Sequence, residues 1–145
     1  MDWKREAVDK LRGYVARQRA LENIPDEIAR LKTEYSAIRS ATTDSTPVSG
    51  GGNRREDALL SNIAHRQELN ARLRDATLWI ATVDSAMSVL DDNEKLVLNS
   101  LFVYRAKGNR ERLSTELRVE RSEVYRIKDR ALRKFTIALY GITES

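Results

Sequence analysis

Leu90-Asp91-Asp92-Asn93-Glu94-Lys95-Leu96-Val97-Leu98, followed by Arg112-Leu113-Ser114-Thr115-Glu116-Leu117-Arg118-Val119-Glu120-Arg121-Ser122-Glu123-Val124-Tyr125-Arg126-Ile127-Lys128-Asp129-Arg130-Ala131-Leu132-Arg133-Lys134-Phe135, is the stretch that decides the fold. Asp91 with Glu94 three residues on forms a capping-box pattern just ahead of Leu96-Val97-Leu98, so a helix is expected to start there. The cap accounts for Asp91 and Asp92 without invoking paired catalytic acids or a Mg²⁺ site. Leu98, Leu101 and Phe102 give that helix a core face, and Lys107-Gly108-Asn109 is expected to end it. Arg110 to Leu117 reads as the next helix, and Arg118-Val119-Glu120 as a tight turn. Arg121 to about Tyr140 is then the last helix, stopped near Gly141.

At 100° per residue, Val124, Ile127, Ala131 and Phe135 share one arc of that last helix, with Leu132 at its edge. Ser122, Arg126, Asp129 and Arg133 point the opposite way, and Tyr125 and Arg130 lie on the flanks. A bracing helix, a short turn and a second helix with a polar outer face is the arrangement by which a helix-turn-helix enters a major groove. Charge placement agrees. Residues 1–90 hold 14 Lys/Arg against 13 Asp/Glu, whereas residues 105–134 hold 11 against 5. Cationic charge on the segment that would meet phosphate is what nucleic-acid binding requires. In such a motif the first turns of the second helix reach base edges, while flanking cations meet the backbone. Arg121, Ser122, Tyr125 and Arg126 are therefore the candidate base contacts. Arg112, Arg118, Lys128, Arg130 and Arg133 are the candidate phosphate contacts.

Upstream the chain reads as a helical arm. Ala7, Leu11, Tyr14 and Leu21 recur at helical spacing, and Asn23-Ile24-Pro25-Asp26 is expected to break or kink the helix. Ile28, Leu31, Tyr35 and Ile38 follow. Residues 40–53, rich in Ser, Thr and Gly, read as a flexible linker. No Gly-Lys-Ser/Thr follows Gly50-Gly51-Gly52, so a phosphate-cradling loop is not indicated. From Arg54 to Val89 one long helix is expected, with Leu69, Leu73, Ala76, Ile80, Val83, Met87 and Leu90 at the alternating four-three steps of a coiled-coil seam. Leu59, Leu60 and Ile63 extend the apolar face out of that register. Such a seam needs a partner, either the segment before the linker folded back antiparallel or a second copy of the chain. Gln18 and Gln67 would fix register if buried. The reading is all-α: a coiled-coil arm over 1–89 and a helix-turn-helix domain over 90–145.

Residues 90–135 resemble the C-terminal promoter-binding domain of bacterial sigma factors. The matching positions are Leu90 with Glu94-Lys95-Leu96-Val97-Leu98, then Leu113 to Glu120 with Val124, then Arg130-Ala131-Leu132-Arg133-Lys134-Phe135. Ser114 stands where the family has a small Ala, Arg118 where it has Gly, and Glu120 where it has a capping Ser. The base-reading positions carried over from the family fall on Arg121, Ser122, Tyr125 and Arg126. The layout of the whole chain is similar to ArpU- or RinA-like late transcriptional regulators of phages and prophages. That resemblance implies a sequence-specific regulator with double-stranded DNA as partner, and RNA polymerase and a second copy of the chain as further candidates. The alternative is a DNA-packaging component of the small-terminase type, and a third reading is a coiled-coil protein with a vestigial helix-turn-helix. The regions by which a sigma factor melts DNA have no counterpart.

An enzyme is the poorest reading. His65 is the single histidine, there is no cysteine, and no nucleophile–base pair stands out, so neither a metal nor a cofactor is expected. Trp3 and Trp79 read as packing anchors rather than base-stacking platforms. No apolar run is long enough to cross a membrane, and Met1-Asp2-Trp3-Lys4-Arg5-Glu6 is too charged for a signal peptide. With the cysteine count, this points to the cytoplasm, and the phage resemblance implies that of a bacterial host.

Overall fold

The computed structural model describes residues 1–41 and 51–142, and all regular structure among them is helical. The helices are α1 (Trp3–Arg12), α2 (Tyr14–Ser40), α3 (Gly51–Met87), α4 (Asp92–Leu98), α5 (Asn109–Leu117) and α6 (Arg121–Tyr140), with a π-helical turn at Asn99–Val103 between α4 and α5. None of the described helices is long and apolar enough to cross a membrane. The 42–50 part of the expected linker lies outside the described residues, while 51–53 already belong to α3.

Two compact units emerge. One combines residues 1–18 with 78–145, and the other is residues 19–77. The division at 89/90 read from the sequence is therefore not where the compact units part, because α1 packs on α6.

In the first unit, α1 opens on Asp2, whose side chain accepts from the Arg5 N–H at 3.1 Å. The chain then breaks at Gly13, not at Pro25. A Cβ on Gly13 would stand 2.6 Å from Trp79 Cζ2, so only glycine admits the indole here. Trp79 Nε1–H donates to Lys10 O at 2.9 Å, and the cations of Lys10 and Arg17 each lie 4.0 Å from its ring centroid. Trp3 meets Tyr140 at 4.9 Å between ring centroids. Both tryptophans are thus packing residues. Ala7, Leu11, Val83, Leu90, Leu98 and Phe135 are among the buried side chains of the main core. A second cluster, Val97, Leu113, Val124 and Ile127, lies between α4, α5 and the first half of α6.

The second unit holds the rest of α2 and α3. Pro25 sits inside α2 on its exposed side, and the helix runs through it. A proline inside a helix costs about 3 kcal/mol, and the apolar row Leu21, Ile24, Ile28 and Leu31, at least half-buried throughout, offsets it. Gln18 in the first unit and Gln67 in the second are both exposed, so neither sets register. Asn62 takes that part instead. Buried, it donates to Leu31 O at 2.8 Å and accepts from Arg66 Nε at 2.9 Å. Arg55 Nη2 donates to Arg39 O at 3.0 Å. Residue 39 thus meets 55 and 31 meets 62, the antiparallel sense.

Candidate nucleic-acid interface

The capping box at the head of α4 is complete. Asp91 Oδ1 accepts from the Glu94 N–H at 2.8 Å, and Glu94 Oε1 accepts from the Asp91 N–H at 3.0 Å. α4 closes at Leu98 and the π turn carries the chain to Val103, so the helix ends well before Lys107-Gly108-Asn109. Gly108, at φ +83, marks the start of α5 instead, and Asn109 Nδ2 donates back to Ser100 O at 2.7 Å and Tyr104 O at 3.2 Å. That side chain holds the π turn against the head of α5.

α5 ends on Arg118, the one non-glycine residue with positive φ among the described residues (φ 56, ψ 43). Arg118 N–H donates to Thr115 O at 3.3 Å and Val119 N–H to Ser114 O at 3.1 Å, the two bonds of a Schellman stop. The Ser114 hydroxyl also donates to Val119 O. An arginine takes the left-handed conformation here because these bonds and the half-buried Val119 over-determine the turn. Glu120 precedes α6 in extended geometry but makes no side-chain cap hydrogen bond.

On α6, Val124, Ile127, Ala131 and Phe135 are all buried, as their shared arc at 100° per residue requires. Ser122, Arg126, Asp129 and Arg133 are all exposed. Arg121 reaches Glu111 at 2.8 Å, and Arg126 reaches Glu123 at 3.3 Å. Exposed pairs of this kind are worth about 0–1 kcal/mol, so an anionic ligand can displace either carboxylate. Tyr125 is half-buried. Its hydroxyl accepts from Arg110 Nη1 at 3.0 Å, and the cations of Arg110 and Lys128 lie 5.5 and 5.4 Å from its ring centroid. Tyr125 is therefore tied back toward α5, whereas Arg121, Ser122 and Arg126 stand in solvent.

The candidate phosphate contacts divide as well. Arg112, Arg118 and Arg133 are exposed, and no ion pair holds them among the described residues. Lys128 is largely covered and pairs with Asp129 at 3.3 Å. Arg130 is anchored: its Nε donates to Glu94 Oε2 at 3.1 Å, and Lys134 Nζ lies 3.0 Å from the same carboxylate. Glu94 is fully buried. Burial pushes its pKa up, but the Asp91 N–H, Lys134 and Arg130 outweigh that and hold it at about 2. Only the Nη groups of Arg130 are left for an outside anion.

Sequence reasoning missed Arg110 and Lys134. Arg110 carries no pattern beyond its place at a helix start. Lys134 stands 40 residues from the carboxylate it meets, beyond the reach of local spacing. No family model, no curated protein and no solved structure matches the chain.

Proposed function

We propose that this chain is a sequence-specific, DNA-binding transcriptional regulator of the phage or prophage type, in which α5, the 118–120 turn and α6 act as a helix-turn-helix. One observation carries the reading: Arg121, Ser122 and Arg126 stand exposed in the first two turns of α6, directly behind which the Val97, Leu113, Val124 and Ile127 cluster braces the helix on α4 and α5. An arginine so placed takes guanine O6 and N7 in two hydrogen bonds, worth about 1–3 kcal/mol of discrimination. Exposed Arg112, Arg118 and Arg133 supply the backbone contacts. The sigma-like spacing of residues 90–135 supports the same assignment, with RNA polymerase or a second copy of the chain as further partners.

Selection from random duplex DNA tests it. Enrichment of a defined site, affinity that falls steeply with salt, and a flattened preference in Arg126→Ala are the expected results. An Arg126→Ala ranking of sites identical to that of the parent would remove the residue as a reader. No selected site and no salt-dependent binding would remove the reading altogether.

A further inference from the structure

Beside α6 lies a cleft of about 470 Å³ whose walls include Arg12 of α1, Arg105 of the loop after the π turn, Arg110 of α5, and Phe102, Tyr125 and Lys128. Arg12, Arg105 and Arg110 are exposed, and none has a carboxylate partner among the described residues. The acid on its rim, Glu111, is engaged by Arg121 at 2.8 Å. Arg12 lies 5.9 Å from the Phe102 ring and Arg110 lies 5.5 Å from the Tyr125 ring, so aromatic faces steady two of the guanidiniums. Like charges converging on one concavity repel one another, and a concavity lined by one sign of charge focuses its field on a counter-ion. A guanidinium fork matches two oxygens of a phosphate in a way that chloride or a single carboxylate oxygen does not.

We propose that this cleft is a phosphate-binding site and that Arg12 and Arg105 are its principal unassigned ligands. The phosphate it takes is a backbone phosphodiester of the duplex that α6 reads, which makes α1 part of the DNA-binding surface; this source rests on the proposed function above. Tyr125 and Lys128 join the two regions, since both belong to α6 and to the cleft wall.

The experiment uses the full chain and the variants Arg12→Gln/Arg105→Gln and Arg12→Lys/Arg105→Lys, with circular dichroism melting to verify folding. One arm titrates the selected duplex over a salt series; the other titrates inorganic pyrophosphate by calorimetry. The expected result is that the glutamine pair weakens all sites evenly, keeps their ranking, and lowers the salt slope by about two, near 0.9 per lost phosphate contact. The lysine pair keeps both charges without the forks, so it should restore the salt slope but only part of the affinity. Pyrophosphate binding abolished by the glutamine pair, with duplex affinity unchanged, would keep the phosphate site and assign it to a free phosphate ligand. If the parent binds no duplex, the functional reading falls while the pyrophosphate arm still judges the cleft. Duplex and pyrophosphate binding both unchanged in the glutamine pair would overturn the proposal.

Discussion

The two halves of α6 use the same residue types for opposite ends. From the midpoint of the helix onward, Arg130 and Lys134 converge on Glu94, a carboxylate with no solvent exposure, beside the core that holds Ala131 and Phe135. In the first half, Arg121 and Arg126 meet Glu111 and Glu123, and all four side chains are at least 40% exposed. Burial separates the two. A buried carboxylate has no water to return to, so its cations are structural; a solvated one exchanges partners at little cost. The contrast says which arginines of one helix are free to exchange a carboxylate for another anion.

The largest effect should come from stripping the buried carboxylate of its cations. Arg130→Met combined with Lys134→Met leaves Glu94 charged and buried with the Asp91 N–H as its remaining donor. Removing the partner of a buried charge costs roughly 3–5 kcal/mol, and urea unfolding at neutral pH should show a loss of that order. The deficit should shrink on acidification, because in the variant Glu94 can take a proton instead. A loss under about 1 kcal/mol would show that the two halves of α6 do not differ in kind.

Acid unfolding of the parent sharpens the same point. Glu94 titrates at about 2 in the folded chain against an ordinary 4.5. Between those values the unfolded state binds more protons, so stability is fully present above about 4.5 and is lost as the pH falls toward 2. Glu94→Gln should flatten that limb of the curve. At the alkaline end Tyr14 acts in the reverse sense. Burial first, and then the hydrogen bond to Asp84 at 2.8 Å, raise it to about 12. Its contribution is present below 10 and fades as the pH climbs through 12.

The contrast between the halves was only partly legible in the sequence. The buried face of α6 and the capping box follow from local spacing, at steps of three and four residues, and both stand where that spacing puts them. Spacing could not show that the capping glutamate is also the counter-ion of α6, since Arg130 lies 36 residues away. Nor could it place the polar residues of the arm. Asn62 and Arg66 continue the four-three steps back from Leu69, but as polar residues they read as an interruption, when a backbone carbonyl across the seam satisfies one and a tyrosine ring covers the other. Pro25 misled in the opposite direction, since a local breaker was outweighed by the apolar row on either side of it. The π turn has no compositional signature, so residue spacing alone extends the helix through Leu101 and Phe102.

A smaller effect, of opposite sign for folding and for binding, is expected at the turn that sets the first half of α6. Arg118 holds φ 56, which costs an L-residue about 1–2 kcal/mol, less the roughly 0.5–1 kcal/mol of backbone entropy that glycine forfeits. Arg118→Gly should therefore raise stability by about 0.5–1 kcal/mol in thermal or urea unfolding. It also removes an exposed cation, so affinity for duplex should fall evenly across sites while the fold gains. Affinity and stability rising together would remove Arg118 from the phosphate contacts.

The smallest stability effect belongs to the exposed pair, and it is the sharpest test of the comparison. Glu111→Gln removes the carboxylate held by Arg121 at 2.8 Å, where both side chains are about 60% exposed or more. Double-mutant cycles on such pairs give a few tenths of a kcal/mol, so unfolding should shift by no more than about 0.5 kcal/mol. Duplex affinity should instead rise, because Arg121 no longer exchanges a protein carboxylate for the ligand and one negative charge leaves the basic cleft. The rise should be greatest at low salt and fade toward 1 M, where the Debye length drops to about 3 Å. A glutamine at 111 that costs more than about 1 kcal/mol of stability, with no gain in binding, would make the Arg121 pair as structural as that of Arg130. Both halves of α6 would then serve the fold, and the base-reading role would have to move to residues other than Arg121.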